Sequence, residues 1–167
     1  MDILRKIEEY ATAQSERTAF RSRNGEISYG ELWERSGRLA SEIENLMCDS
    51  RDPVIVYGHK DPMMIVCFIA CVRSGRAYCP IDINTPAQRI AQISEKIGKP
   101  LVIMAEKTSA ASEIEKREMF TGSRWLIGYE TIRELTQSRN ITAALNPCSG
   151  EDDFYIIFTS GTTGKPK

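Results

Sequence analysis

A run of five apolar, β-preferring residues that changes abruptly into glycines, hydroxyls and lysines closes this sequence, from Asp153 to Lys167 (DFYIIFTSGTTGKPK). Unbroken apolarity over Phe154, Tyr155, Ile156, Ile157 and Phe158 predicts a strand covered on both faces, inside a parallel sheet flanked by helices. The second half, Thr159, Ser160, Gly161, Thr162, Thr163, Gly164, Lys165, Pro166 and Lys167, cannot pack a core, but it can wrap an anion. Gly161 and Gly164 permit positive φ and close backbone approach, so successive amides can converge on one oxygen cluster. The hydroxyls of Thr159, Ser160, Thr162 and Thr163 add donors, or ligands for a magnesium ion. Lys165 and Lys167 add charge. A cation about 4 Å from a phosphate oxygen contributes about 4 kcal/mol at an effective dielectric near 20. The carboxyl end of a strand is also where open α/β sheets bind ligands.

Two other readings of the stretch compete. A Gly/Ser/Thr/Pro/Lys-rich chain end is often a solvated tail or linker, but the apolar run directly ahead of it argues otherwise. The loop of nucleotide hydrolases requires G-x-x-x-x-G-K-[ST]. Here only two residues separate Gly161 from Gly164, and Pro166 follows Lys165. That pattern fails.

The preceding residues alternate between strands and helices. Asp2 caps a first helix with Ile3, Leu4, Ile7, Tyr10 and Ala11 on its apolar side. Thr18 to Ser22 and Glu26 to Ser28 flank Asn24-Gly25 and predict a hairpin. Ser28 and Glu31 form a capping box opening a helix that buries Leu32, Trp33, Leu39, Ala40, Ile43, Leu46 and Met47. Pro53 to Tyr57 is a short buried strand. Asp61-Pro62 then starts a helix that Gly75 ends. An extended piece runs from Ala77 to Ile81, and Thr85-Pro86 opens a helix closed by Gly98. Further strands are expected at Leu101–Met104 and Trp125–Ile127, with helices at Ser109–Met119 and Tyr129–Gln137 and a loop over 138–150. This rhythm predicts one α/β unit, a mostly parallel sheet with helices on both faces.

With 22 Lys+Arg against 23 Asp+Glu, the net charge of −1 points to neither nucleic acid nor an acidic membrane surface. No run is apolar and long enough to span a bilayer, and the N-terminus lacks the features of a signal peptide. Five dispersed cysteines (Cys48, Cys67, Cys71, Cys79 and Cys148) predict reduced, buried thiols in a cytoplasmic protein. No metal site is assigned: Cys67 and Cys71 lack a third thiol at a plausible spacing, and the one histidine, His59, cannot complete a zinc site alone.

T-S-G-T-T-G-K-P-K after an apolar strand resembles the phosphate loop of adenylate-forming enzymes, which include acyl-CoA synthetases, luciferases and peptide-synthetase adenylation domains. Two earlier stretches extend the resemblance. Ile27 to Leu32 is similar to the family's S-Y-x-E-L element. Val72 to Asp82 is similar to its K-A-G-x-A-Y-x-P-I-D element. Within the family, Val56 to His59 with Asp61 to Ile65 looks most like the branch that activates D-alanine for a carrier protein in teichoic acid D-alanylation. His59 reads as a histidine satisfied by local hydrogen bonds.

The resemblance implies an ATP-dependent ligase with Mg2+. A carboxylate, D-alanine or another, becomes an acyl-adenylate and then a thioester on the phosphopantetheine of an acyl or peptidyl carrier protein. Thr159, Ser160, Gly161, Thr162, Thr163, Gly164 and Lys165 are the implied contacts to the ATP phosphates, Thr159 and Ser160 foremost. The family's catalytic lysine, magnesium-ligating acid and substrate pocket lie beyond Lys167, so no catalytic residue is assigned. Residues 1–167 are therefore expected to be the N-terminal portion of the large AMP-binding domain, without the lid domain, inactive alone and prone to self-association. Two alternatives stay open: a peptide-synthetase adenylation domain or acyl-CoA ligase, and a non-catalytic nucleotide-binding module.

Overall fold

Continuous apolar runs at the predicted positions do form a parallel sheet in the computed structural model, which describes residues 2–48, 50–98, 101–106, 120, 122–123, 125–137 and 145–159. Helix α1 (Asp2–Ala13) precedes an antiparallel hairpin, β1 (Thr18–Ser22) and β2 (Gly25–Ser28). There follow α2 (Tyr29–Met47), β3 (Val54–Tyr57), α3 (Pro62–Arg73), β4 (Tyr78–Ile81), α4 (Ala87–Ile97), β5 (Leu101–Met104), β6 (Trp125–Ile127) and α5 (Tyr129–Gln137). The sheet order is β4-β3-β5-β6, with every neighbouring pair parallel.

Alternating side chains feed two cores, one on each face. Val54, Val56, Leu101 and Ile103 pack with α2 and α3 residues such as Leu39, Ile43, Val66 and Ala70. Ile55, Tyr57, Val102 and Met104 face the other way, toward Ile90 and Ile93 of α4 and toward Phe120. Helices thus cover both faces, as the βαβ rhythm predicts. Helix α3 is apolar nearly all round because it lies between the sheet and α2, and such a helix can only be interior.

The local signals that start and stop these elements are satisfied. Ser28 Oγ accepts from the Glu31 amide at 3.2 Å, and Glu31 Oε2 accepts from the Ser28 amide at 3.1 Å. Both halves of the capping box are therefore made. Ser28→Ala is expected to cost about 1 kcal/mol in chemical denaturation. Asp61 caps α3 through the Met63 amide at 2.8 Å, with Pro62 at the first helical position. Gly75 ends α3 at φ +72°, and a Cβ there would collide with the Asn146 carbonyl and the Arg51 guanidinium. Trp33 packs against the core and carries the buried Arg73 guanidinium over its ring at 3.6 Å. Burial pushes that guanidinium down to about 10.

The structure corrects two expectations. Four cysteines are buried, but Cys48 is exposed just past the end of α2. Burial pushes the Cys79 thiol up to about 12 and raises Cys67, Cys71 and Cys148 as well, so these thiols stay neutral. More consequentially, Phe154–Phe158 is not a strand buried on both faces. It runs extended along the outer edge of β4, joined by one parallel bridge between Tyr78 and Tyr155. Phe154, Ile156 and Phe158 turn toward the cores, while Tyr155 and Ile157 are 54% and 61% exposed. The physical reason is position: β4's inner side belongs to β3, so this segment has a partner on one side only among the described residues. The expected helix at 109–119 and the Asp2 side chain lie outside the described residues. Of the loop expected at 138–150, residues 145–150 are described, without regular structure.

Candidate functional site

Because every strand of the sheet points the same way, the turns after β3, β4 and β5 and the residue after Phe158, Thr159, emerge at its carboxyl edge. The chain runs from β3 out to β4, then returns to β5 on the opposite side of β3. It therefore reverses its order between β3 and β5, and such reversals mark the ligand-binding edge of open α/β sheets. Tyr57, Gly58 and His59 leave β3 at this point, and Met104 and Ala105 leave β5 beside them. The Ala105 amide donates to the Tyr57 carbonyl at 2.8 Å, and the Gly58 amide to the Ile81 carbonyl at 3.1 Å. The three strand ends are stitched together.

Among the described residues, a side-chain contact joins two strand ends at this edge. His59 Nδ1 lies 2.5 Å from Asp82 Oδ2. The other carboxylate oxygen, Oδ1, accepts from the Asn84 amide at 2.9 Å and from Asn84 Nδ2 at 2.8 Å. The Asn84 amide first, and then His59, hold the Asp82 carboxyl below its usual range. His59 is satisfied by a hydrogen bond, as expected, but its partner comes from the next strand end rather than from its own turn. A cleft of about 700 Å³ opens beside His59 and Lys60, lined also by Phe20, Arg23 and Asn24 of the hairpin. Another, of about 420 Å³, lies at the opposite, amino edge, near Pro53 and Ala77.

Of the residues assigned to the phosphate loop, Thr159 is described and exposed; Ser160, Gly161, Thr162, Thr163, Gly164 and Lys165 lie outside the described residues. Thr159 reaches the carboxyl edge on the outer side of β4. The Ile156 amide donates to the Tyr78 carbonyl at 2.9 Å, and the Tyr78 amide to the Phe154 carbonyl at 3.3 Å. Beyond that ladder a different element takes over. Arg89 of α4 donates through Nη2 to the Thr159 carbonyl at 2.7 Å and to the Phe158 carbonyl at 3.4 Å. Sequence reasoning missed Arg89, and no local signal marks it, since its partners lie about seventy residues along the chain.

The oxygens available to a magnesium ion among these residues are few. Thr159 is exposed, whereas both Asp82 carboxylate oxygens are already engaged. Among the described residues no group of three His, Cys, Asp or Glu side chains is placed to hold a metal ion.

Comparison with known proteins agrees with this arrangement. The family model described as AMP-binding enzyme matches residues 7–167. A D-alanine--D-alanyl carrier protein ligase of Bacillus velezensis is 41% identical over the whole chain, and one of Bacillus cereus is 35% identical. In each case the chain spans 32% of the relative's length. Among solved structures, VinN in complex with 3-methylaspartate superposes with a TM-score of 0.78 at 17% identity, covering 96% of this chain and 44% of that one. At that identity the likeness shows the fold alone.

Proposed function

The chain belongs to the AMP-binding enzyme family, and from that premise we propose that it is the N-terminal part of the large domain of an ATP-dependent, D-alanine-activating ligase. The observation that carries the reading is the 41% identity, over the whole of this chain, to a D-alanine--D-alanyl carrier protein ligase. The carboxyl-edge placement of Thr159 supports it. The proposed location is the cytoplasm, and the proposed role is supply of D-alanine for teichoic acids.

The chemistry has two steps. A carboxylate oxygen of D-alanine attacks the α-phosphorus of ATP. The bond from that phosphorus to the β-bridging oxygen breaks, and pyrophosphate leaves with the electron pair. The thiolate of a carrier-protein phosphopantetheine then attacks the acyl carbon, and AMP departs. In the first step negative charge grows on pyrophosphate, and donors held in place before the reaction stabilise it without reorganisation. Thr159, Ser160, Thr162 and Thr163 supply hydroxyls, Gly161 and Gly164 supply closely approaching amides, and Lys165 supplies charge. Magnesium would neutralise phosphate oxygens, with the hydroxyl of Thr159 or its neighbours as one ligand.

The remaining two-thirds of such a protein would carry the adenine and amino-acid pockets, so residues 1–167 alone are expected to catalyse no exchange. The deciding experiment is carboxylate-dependent ATP–pyrophosphate exchange by the full-length protein against D-alanine, L-amino acids and fatty acids. Exchange preferring D-alanine is the expected result. A preference for an L-amino acid or a fatty acid would transfer the chain to another branch of the family.

A further inference from the structure

Helix α4, rather than the sheet, holds the point where the phosphate loop begins. Among the described residues, the last backbone bond between the Phe154–Phe158 segment and β4 is the one from the Ile156 amide. Past it, the chain is gripped by α4. Ile156 and Phe158 pack into the core formed by Ile90 and Ile93, and Lys96 places its ammonium 5.7 Å from the Phe158 ring centroid. Half-buried Arg89 then reaches the carbonyls of Phe158 and Thr159 with the same terminal nitrogen, the Thr159 contact being the short one.

We propose that Arg89 is a positioning residue for ATP binding: it fixes the peptide unit at which the loop leaves the sheet. Holding the Phe158 and Thr159 carbonyls fixes the last described stretch of backbone, and so the point from which the proposed loop starts. A guanidinium suits the task because it is always charged and rigid, and it can serve two carbonyls from one side. A neutral side chain would leave the loop's first peptide free to rotate, and the ordering of that peptide would then have to come from ATP itself.

The inference rests on the reading of Thr159–Lys165 as the phosphate loop, and the test separates the two. MgATP affinity is measured by calorimetry on the full-length protein, together with the KM values for ATP and D-alanine in pyrophosphate exchange. Arg89→Met is expected to weaken MgATP binding about tenfold, the low end of what one charge-assisted hydrogen bond contributes. Arg89→Lys, which keeps one charged donor but on a shorter and more flexible side chain, is expected to weaken it about threefold. The KM for D-alanine should stay within about twofold, because loosening the loop's first peptide raises the cost of ordering it around ATP alone. A merely structural role would instead lower the active fraction and the unfolding temperature, leaving both KM values unchanged. Binding of MgATP by Arg89→Met within about twofold of wild type, the weakest effect a single polar contact gives, overturns the inference and leaves the function standing. Failure of the wild-type protein to bind MgATP at all sinks the phosphate-loop reading, and this inference with it. MgATP binding without D-alanine-dependent exchange overturns the substrate alone, and Arg89 is then judged on the binding data.

Discussion

Replacing Arg76 with methionine is expected to destabilise the protein by about 3–5 kcal/mol, the usual cost of removing one member of a buried ion pair. The Arg76 side chain has no solvent exposure, and that of its partner Glu44 is 18% exposed. Nη1 meets Glu44 Oε2 at 2.5 Å and also bonds the Ser74 carbonyl, while Nη2 donates to the Met47 carbonyl at 2.8 Å. One guanidinium therefore ties the end of α2 to the turn after α3. Methionine matches much of the volume but donates nothing. It strands the largely desolvated Glu44 carboxylate, and that orphan carries most of the cost, because the Ser74 and Met47 carbonyls keep the Arg51 guanidinium and the Ser50 amide as donors. The double variant Arg76→Met/Glu44→Met should recover part of the loss, since an apolar pair can replace a buried ionic one at little penalty. Urea denaturation of the wild-type, single and double variants measures the difference. A single variant within about 1 kcal/mol of wild type would show that water, not Glu44, satisfies the guanidinium.

Arg76 also shows what a linear reading can and cannot reach. Elements set by neighbouring residues were legible: the Ser28–Glu31 box, the Asp61-Pro62 start of α3 and the Gly75 stop are chemistry within a few positions. The strands Val54–Tyr57 and Leu101–Met104 announced themselves by unbroken apolarity, and both are fully buried. The same signal at Phe154–Phe158 overstated burial. A run of apolar residues reports an affinity for a sheet, but how many neighbours it finds depends on strand order, which no local window contains. Arg76, Arg89 and Asp82 escaped for a related reason. Each meets its partner across 23 to 70 residues of chain, and a charged side chain read in isolation defaults to the surface. Arg76 even occupies the position that the family pattern leaves unspecified, between Gly75 and Ala77.

The largest effect on activity is expected at Lys165. Lys165→Ala should lower kcat/KM for ATP in pyrophosphate exchange by the full-length protein about 10²–10³-fold, the loss seen when one donor to a developing charge is removed. Its charge is what sets it apart from the rest of the loop. A neutral hydroxyl such as that of Thr159 contributes about 0.5–1.5 kcal/mol as a hydrogen bond. A lysine adds a full positive charge, whose attraction for phosphate at contact distance is several times larger in a site shielded from water. Thr159→Val should therefore cost roughly tenfold, well short of the lysine. Lys165→Arg keeps the charge but spreads it over a broader, planar group and should fall between the two. Lys167→Ala tests whether position matters as well as sign. Two residues farther along, past the rigid Pro166, its loss should cost less than that of Lys165, and its deficit should shrink as added salt screens the charge. Equal losses at both lysines, both abolished by salt, would mean that the loop attracts ATP by net charge alone. The glycine-and-hydroxyl cradle would then not be shaping the transition state.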